Sequence, residues 1–282
     1  MSTSKLSGKV AFVTGGASGI GAAFTAKLVD QGTDVWIADR QIGPAEELTQ
    51  RLSGRAGTAT AVELDVRDYP SFERVIGETM RQSGRIDYLF NNAGIGVAGE
   101  VDSYTLDDWN DVIDVNLRGV IHGIQAVYPI MIQQHSGHIV NTASMAGLVT
   151  TAGQASYTAT KHAVVAISKT LRLEAERHGV RVSVLCPGAI RTPILTGGVY
   201  GRTERAGVSD EDILRMWERL RPMAPDKFAE RALRAVLRED TIIVVPAWWK
   251  TFWYLERLSP ALSMRVTKRM LQRIREMQSA TT

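Results

Sequence analysis

The stretch Val10-Ala-Phe-Val-Thr14-Gly-Gly-Ala-Ser-Gly-Ile-Gly21 indicates how the rest of the chain folds. Its first five residues form an apolar, β-branched run, which is typical of a strand buried on both faces of a parallel sheet. Glycines at positions 15, 19 and 21 then allow a tight turn into a helix. A strand, a glycine-rich turn and a helix in this order predict the first βα unit of an α/β domain.

The same alternation of strands and helices continues along most of the chain. Seven β-branched runs predict strands at 10–14, 34–38, 59–64, 88–90, 138–142, 181–185 and 242–245. Amphipathic segments between them predict helices at 20–31, 45–52, 71–82, 106–133, 155–178 and 227–238. This order indicates right-handed βαβ units. The predicted fold class is therefore α/β: a doubly wound Rossmann fold with a seven-stranded, mostly parallel sheet, helices on both faces and a helical C-terminal extension.

Two segments interrupt the alternation. Residues 1–246 are predicted to form the Rossmann-fold domain, and residues 247–282 a separate basic and aromatic extension. Within the domain, residues 191–225 contain Gly197, Gly198 and Gly201 and a short helical stretch at 210–221. A long insertion with glycine hinges predicts a substrate-binding loop.

Composition narrows the possible functions. The chain has 282 residues, 44% of them hydrophobic and 22% charged, so it can form a substantial core. The single cysteine, Cys186, excludes an internal disulfide and a cysteine-based metal site, and no metal is expected. The net charge of +3 is concentrated in residues 247–282, so nucleic acid is not expected as a partner. The N-terminus lacks an apolar signal segment, and a cytoplasmic location is expected.

The glycine turn has the spacing G-x-x-x-G-x-G, which differs from G-x-G-x-x-G. It lets backbone N–H groups approach a pyrophosphate at the helix N-terminus. Asp39 ends the second predicted strand, where a carboxylate can bind a ribose 2′-hydroxyl and repel a 2′-phosphate, which favours NAD over NADP. Arg40 could accept that phosphate, stack on adenine or be solvated. Asp65, followed by Val66, ends the third strand and could meet the adenine edge or cap the next helix.

Tyr157 and Lys161 lie four residues apart, so on a helix their side chains share one face. A phenol ionises near pH 10, and a fixed ammonium beside it lowers that pKa. The pair is therefore a candidate for proton transfer, and the alternative is an exposed helical pair without function.

Further motifs follow in order along the chain: Asn91-Asn-Ala-Gly94, Asn116, Ser144 and Pro187-Gly188 with Thr192. Together with the glycine turn, Asp65 and the Tyr157 pair, they make the chain resemble the short-chain dehydrogenase/reductases in their single-domain form. The resemblance covers residues 9–246. It implies an oxidoreductase that acts on CH–OH groups with a nicotinamide cofactor.

The resemblance implies a role for each motif. Tyr157 would be the general acid/base, Lys161 would lower its pKa and hold the nicotinamide ribose, and Ser144 would orient the substrate oxygen. Asn116 would hold a water that links Lys161 to solvent; the alternative is a buried asparagine bonded to a backbone carbonyl. The residues expected to bind the cofactor are Gly15, Ser18, Gly19, Ile20, Gly21, Asp39, Arg40, Asp65, Val66, Asn92, Ala93, Gly94, Tyr157, Lys161, Pro187, Gly188, Ile190 and Thr192.

The expected reaction is NAD-dependent interconversion of a secondary alcohol and a ketone on an apolar substrate such as a steroid, terpenoid or long-chain carbonyl. The substrate pocket is predicted to contain Ile95, Gly96, Val97, Met145, Ala146, Gln154, Ile194, Leu195, Tyr200 and Trp217. The alternatives are an NADP-dependent 3-oxoacyl reductase and a non-catalytic dinucleotide-binding regulator. The resemblance also implies a homotetramer or homodimer built on the helices that carry Asn116 and Tyr157.

The extension has no counterpart in most members of that family. It begins with an aromatic cluster at 248–254 and continues as a predicted basic amphipathic helix over 261–277. The predicted apolar face of this helix consists of Leu262, Val266, Met270, Ile274 and Met277. Two interpretations remain open: the extension packs on its own body or on a second subunit, or it makes a peripheral membrane contact.

Overall fold

The protein is represented by a computed structural model that describes residues 5–202 and 209–281. Over these residues one seven-stranded sheet has the order β3-β2-β1-β4-β5-β6-β7. Every strand pair is parallel, so the expected Rossmann sheet is confirmed and is more uniform than predicted. The strands are β1 (Val10–Thr14), β2 (Asp34–Asp39), β3 (Ala59–Glu63), β4 (Tyr88–Asn91), β5 (Gly137–Thr142), β6 (Val180–Pro187) and β7 (Ile242–Val245).

Helices connect the strands and continue beyond the last one. In chain order they are α1 (Gly19–Asp30), α2 (Ile42–Leu52), α3 (Tyr69–Ser83), α4 (Leu106–Ile113), α5 (Gly119–Gln134), α6 (Ala155–Ala175), α7 (Asp210–Glu218), α8 (Pro225–Leu237), α9 (Lys250–Leu258) and α10 (Pro260–Thr281). Most lie within a few residues of their predicted bounds, since hydrophobic periodicity locates an element better than it locates its ends.

One predicted helix is wrong in detail. Residues 106–133 form two helices, α4 and α5, joined by a π-helical turn at Asp114–Arg118. Hydrophobic periodicity does not reveal such a turn, because it inserts one extra residue without changing the helix direction. Asn116 lies within the turn and is fully buried.

The core consists of two layers, one on each face of the sheet. In β1, Phe12 packs with the layer that includes Phe72 of α3, whereas Val13 packs with the layer that includes Phe24 of α1 and Phe228 of α8. Successive side chains of a strand point to opposite faces, so a strand covered on both sides must be apolar throughout. This requirement explains the continuous apolar runs in the sequence.

The C-terminal extension packs on its own body. Trp249, Phe252 and Trp253 contact the core layer that contains Cys186 and Val244. Along α10, the residues that face inward are Ser263, Val266, Thr267 and Leu271, whereas Leu262 is 46% exposed. Of the predicted face, Val266 therefore lies inward and Leu262 does not, because a repeat of four residues drifts around a helix that has 3.6 residues per turn. The side chains of Met270, Ile274 and Met277 lie outside the described residues.

The described part of the chain contains no helix with the length and apolar character needed to cross a bilayer.

Close packing of α5 on β4 depends on Gly123. A Cβ at this position would lie 2.0 Å from Oδ1 of Asn91, whose amide nitrogen donates to Asn141 Oδ1 at 2.9 Å. Both asparagines are buried, so the side chain at position 91 has little freedom to move away.

We therefore expect Gly123→Ala to destabilise the fold by about 1–3 kcal/mol, the usual cost of overpacking. Gly77 in α3 is the matched control, since its nearest neighbour is the end of the Arg81 side chain at 3.7 Å. Gly77→Ala should stabilise the protein by about 0.5–1 kcal/mol. Urea unfolding measures both variants, and a Gly123→Ala protein as stable as wild type would contradict the packing argument.

Candidate functional site

Two adjoining cavities open at the carboxyl ends of the strands. The larger, of about 770 Å³, extends from the glycine turn past the ends of β2 and β3 to α6. The smaller, of about 260 Å³, lies between β6, α7 and the C-terminal extension. Both are lined by Ser144, Gln154 and Gly188, so they meet at these residues. The larger cavity contains the junction of β1 and β4, where the strand order reverses and where open α/β sheets bind ligands.

The glycine turn is held against β4 by side chains from both strands. Thr14 Oγ1 accepts hydrogen bonds from the backbone N–H groups of Asn92 and Ala93 at 3.0 and 3.1 Å. Nδ2 of Asn92 donates to the carbonyl oxygens of Thr14 and Gly15 at 3.2 Å. A Cβ at Gly15 would lie 2.9 Å from Cα of Ala93, and Gly15 has a φ of +61°. The approach of the two strands therefore requires glycine at this position.

Asp39 closes the turn from the side of β2. Its Oδ2 accepts from the backbone N–H of Ala17 and its Oδ1 from that of Gln41, each at 3.0 Å. The side chain is 8% exposed and borders the larger cavity. The Asp39 carboxylate is thus fixed at the rim of the cavity, at the end of β2, and the glycine turn follows the neighbouring strand β1.

Arg40 and Asp65 have partners within the protein. The Arg40 guanidinium lies 4.5 Å from the centre of the Tyr200 ring and 3.7 Å from Asp65. Partial burial acts to raise the pKa of Asp65, but hydrogen bonds from Arg67 outweigh it and lower that pKa below its usual value. Asp65 therefore forms an ion pair at the rim, and its contact with an adenine stays a prediction.

Ser144 lines both cavities, and Tyr157 and Lys161 line the larger one. Tyr157 and Lys161 lie one turn apart in α6, and Ser144 follows β5. Nζ of Lys161 donates to the Thr142 carbonyl at 2.9 Å and lies 5.4 Å from the centre of the Tyr157 ring. Ser144 forms a hydrogen bond with the Tyr157 hydroxyl. A phenol, a hydroxyl and an amine thus share one partly enclosed site.

Burial dominates the titration of this group. It raises the pKa of the Tyr157 phenol, and the hydrogen bond with Ser144 offsets this only in part. It lowers the pKa of Lys161 from 10.5 to about 8, with Cys186 acting in the opposite direction. The expected net lowering of the phenol pKa is therefore not what the described residues produce. The ammonium is itself desolvated, and it donates to a carbonyl rather than to the phenol.

Asn116 is bonded to the backbone of Ile95. Its Oδ1 accepts from the Ile95 N–H and its Nδ2 donates to the Ile95 carbonyl, both at 2.9 Å. These bonds fit the alternative of a buried asparagine bonded to the backbone. The water that Asn116 would hold between Lys161 and solvent stays a prediction. A Cβ at Gly94 would lie 3.3 Å from Asn116 Oδ1 and 3.5 Å from Lys161 Nζ. Glycine at this position keeps open the space between those two groups.

The residues predicted to bind the cofactor are brought together by the fold. All except Gly21 line the larger cavity. Gly21 lies beneath the turn, where a Cβ would be 2.0 Å from the Gly15 carbonyl oxygen. Several lining residues were not predicted, and each lies at or shortly after the end of a strand that the sequence did reveal: Ala17, Gln41, Leu64, Arg67, Thr142, Ala143 and Ala189.

The predicted substrate pocket is largely correct but incomplete. Ile95 and Tyr200 line only the larger cavity, whereas the other eight predicted residues line the smaller one. The sequence interpretation missed a whole wall, formed by the extension residues Trp249, Phe252, Leu255, Ser263, Val266, Thr267 and Leu271. The aromatic cluster directly after β7 was the available signal, since β7 ends at the same edge of the sheet.

Within the described residues, no lysine or arginine lines the smaller cavity. Its two acidic residues have partners: Glu100 pairs with Arg275, and Asp212 accepts from Ser209 and Arg215. Nor do the described residues bring together three His, Cys, Asp or Glu side chains in a group that could hold a metal ion.

Comparison with known proteins agrees with this geometry. The sequence model of the short chain dehydrogenase family matches residues 9–198. The chain is 37% identical over 190 residues to the 2,5-dichloro-2,5-cyclohexadiene-1,4-diol dehydrogenase of Sphingobium indicum, covering 67% of this chain and 76% of that protein. It is also 37% identical over 190 residues to the 3-oxoacyl-(acyl-carrier-protein) reductase of Thermotoga maritima, covering 67% and 77%.

A solved short chain dehydrogenase/reductase from Burkholderia phymatum, in complex with NAD, superimposes with a TM-score of 0.80 at 29% identity. The match covers 92% of this chain and 96% of that one. The family match, the relatives and the parallel sheet with its strand-end site lead to one conclusion: the chain belongs to the short chain dehydrogenase family of oxidoreductases, which act on alcohol and ketone groups.

Proposed function

We propose that the protein is an NAD-dependent oxidoreductase that interconverts a secondary alcohol and a ketone on an uncharged, apolar substrate. One observation carries the proposal: Ser144 lines both a large cavity with a glycine-rich turn and a smaller apolar cavity, and Tyr157 lines the large cavity beside it. A dinucleotide in the first and an alcohol in the second would bring the reacting carbon and the proton-handling groups together.

The larger cavity fits a dinucleotide in chemistry as well as in size. The turn at Gly15 and Gly19 offers backbone N–H groups at the N-terminus of α1, which suits a pyrophosphate. Lys161 would hold the nicotinamide ribose, and Pro187, Gly188, Ile190 and Thr192 would border the nicotinamide. The bound cofactor would supply or accept the hydride.

The protein's own residues would manage the proton. In oxidation, the Tyr157 oxygen would take the proton of the substrate hydroxyl; in reduction, it would return a proton to the carbonyl oxygen. Ser144 would donate to the same substrate oxygen and stabilise charge that develops on it. The raised pKa of Tyr157 favours the phenol as the acid, so its work as a base relies on Lys161 and Ser144 to stabilise the phenolate.

The preference for NAD is supported by Asp39. Its carboxylate is fixed at the rim, where it would accept from a ribose 2′-hydroxyl and repel a 2′-phosphate. Arg40, the cation next to it, is engaged by Tyr200 and Asp65. The NAD complex of the Burkholderia neighbour points the same way.

An uncharged substrate is supported by the described lining of the smaller cavity, which holds no cation for a carboxylate or phosphate. The volume of about 260 Å³ lies near the lower end of ligand pockets, which begin at about 300 Å³. A compact terpenoid or a single alkyl chain fits this space better than a steroid does. The 3-oxoacyl reductase alternative receives support from the Thermotoga relative, but Asp39 and the uncharged lining weigh against it.

The assembly would be a homodimer or homotetramer built on the helices around Asn116 and on α6, where Leu173 is 76% exposed. We assign the extension to the pocket rather than to a membrane, because Trp249, Phe252 and Trp253 face inward. Trp248, Tyr254 and Leu258 remain exposed for a second subunit or a lipid surface.

The first test is Tyr157→Phe, which removes the proton-handling oxygen and little else. We expect turnover of secondary alcohols to fall by about 10²–10⁴-fold, while NAD binding measured by calorimetry stays unchanged. Tyr254→Phe, in an exposed part of α9, is the control and should behave as wild type. Wild-type turnover in the Tyr157 variant would contradict its role in proton transfer, whereas a wild-type protein that binds NAD and turns over no alcohol would favour the non-catalytic regulator.

The second test concerns Asp39. Asp39→Ala should shift the ratio of NADP to NAD affinity toward NADP by about tenfold, or about 1.4 kcal/mol, because the repulsion of a 2′-phosphate is lost. Asp34→Ala, at the opposite end of the same strand, is the control. Fluorescence titration with both cofactors measures the affinity ratio. An unchanged ratio would show that Asp39 does not set the preference for NAD over NADP.

The third test uses the lowered pKa of Lys161. Between pH 8 and 10.5 the unfolded chain keeps this proton while the folded protein releases it, so Lys161 contributes a rise in stability with pH over this range. The unfolding free energy of Lys161→Met, relative to wild type, should fall by about 3 kcal/mol over this range. Lys169→Met, an exposed lysine of the same helix, should show no such trend. A difference that stays constant with pH would contradict the desolvation of Lys161.

A further inference from the structure

We propose that the C-terminal helices α9 and α10 select the substrate, with Val266 and Leu271 of α10 setting the size of the group that the smaller cavity accepts. The inference rests on the proposed function, since it concerns the cavity assigned to the alcohol. It gives a direct role in substrate binding to a segment that follows the last strand of the sheet.

The residues of α10 that line the cavity form one helical stripe. Ser263, Val266, Thr267 and Leu271 are separated by three, one and four residues, and all of them border the smaller cavity. Positions three and four apart share a helix face. The opposite side of the helix is exposed. Met264 lies two residues before Val266, and therefore on the other side of the helix, and it is 62% accessible. The helix therefore presents a defined face to the cavity.

The start of the extension reaches the point where the two cavities meet. A Cβ at Gly188 would lie 2.2 Å from Nε1 of Trp249, so the indole rests directly on the glycine. Phe252 and Leu255 of α9 continue this wall toward α10. Since Gly188 also lines the larger cavity, the extension contacts the backbone that borders both proposed ligands.

Polar contacts fasten both helices to the rim of the cavity. Glu256, near the end of α9, accepts from Ser263 of α10 and from Thr150 of the rim. Arg275 of α10 donates through Nε and Nη2 to the two carboxylate oxygens of Glu100, at 2.8 and 2.5 Å. Thr150 and Glu100 both line the smaller cavity. Exposed ion pairs contribute little stability, so their effect here is to fix where the helices sit while apolar contacts hold them.

Another wall of the cavity comes from α7 and the turn after it. Ile213, Met216 and Trp217 of α7 and Leu220 beyond it border the same cavity, so both the 191–225 segment and the extension line this space. Both walls lie beyond residue 198, where the match to the family ends. Residues within the matched range provide the proton-handling group and most of the larger cavity, and the later residues decide which molecules fit beside them.

The test replaces Val266, which lines the cavity, by the larger tryptophan, and the control makes the same replacement at the exposed Met264. Val266→Trp should reduce kcat/KM for 2-octanol and 2-decanol with NAD by at least about tenfold, as expected when a chain no longer fits its pocket. The same variant should leave 2-butanol nearly unaffected. Met264→Trp adds the same side chain to the exposed face and should match wild type with every alcohol. An equal loss across the series, or no loss, would overturn the inference.

A second variant guards against a folding defect in Val266→Trp. Val266→Ala enlarges the cavity and should shift the preference toward the longer or more branched alcohols, with unchanged NAD binding. A preference identical to that of wild type in both Val266 variants would show that α10 does not select the substrate.

A binding measurement separates this inference from the proposed function. Binding of 2-decanol is followed by the change in unfolding temperature of wild type, Val266→Trp and Met264→Trp, each also carrying Tyr157→Phe so that no turnover occurs. Loss of 2-decanol binding only in the Val266→Trp protein would support the role of α10 in substrate binding, even if the wild type oxidised no alcohol. Equal binding in all three would reject it even if the wild type were an active dehydrogenase.

Discussion

The close approach of β1 and β4 is the constraint on which the rest of the site depends. Thr14 and Asn92 bind each other's backbone across this junction, and Gly15 leaves no atom between the strands. With the strands fixed at this distance, the segments that follow β1 and β4 lie side by side and both line the larger cavity. A side chain at Gly15 would separate them and shift Ala93 and Gly94, and a Cβ at Gly94 would lie only 3.5 Å from Nζ of Lys161.

Lys161 carries the largest electrostatic cost of the site. Its side chain is 2% exposed, its pKa is lowered to about 8 by burial, and its described hydrogen bond is to the carbonyl of Thr142. A buried amine with so few partners weakens the fold at neutral pH. Such a cost is typical of a residue kept for its chemistry rather than for stability. Tyr157, which is partly buried, does not relieve this cost as a neutral phenol.

Earlier and later parts of the chain form different parts of the site. The parallel sheet and its first six strands place the glycine turn, Asp39, Ser144 and Lys161 at one edge, because all carboxyl ends of a parallel sheet lie on the same side. The smaller cavity is lined partly by segments that follow β4, β5 and β6 and partly by two later segments, α7 and the extension, which hold no strand. Under the proposed function, substitutions in the two later segments would change the accepted substrate without moving Tyr157 and Ser144.

The sequence by itself determined the strands, most of the helices and the residues expected to bind the cofactor, all but one of which line the larger cavity. These follow from local signals: apolar runs, glycines at a turn and polar residues at strand ends, which a parallel sheet must bring together. Tertiary structure alone decided four matters. Asn116 bonds to Ile95 in a π-turn, Tyr200 lies over Arg40, burial raises the pKa of Tyr157, and α10 places Ser263, Thr267 and Leu271 beside Val266 at the cavity while Leu262 is exposed. Each depends on contacts between residues distant in sequence, and on desolvation, which no local pattern encodes.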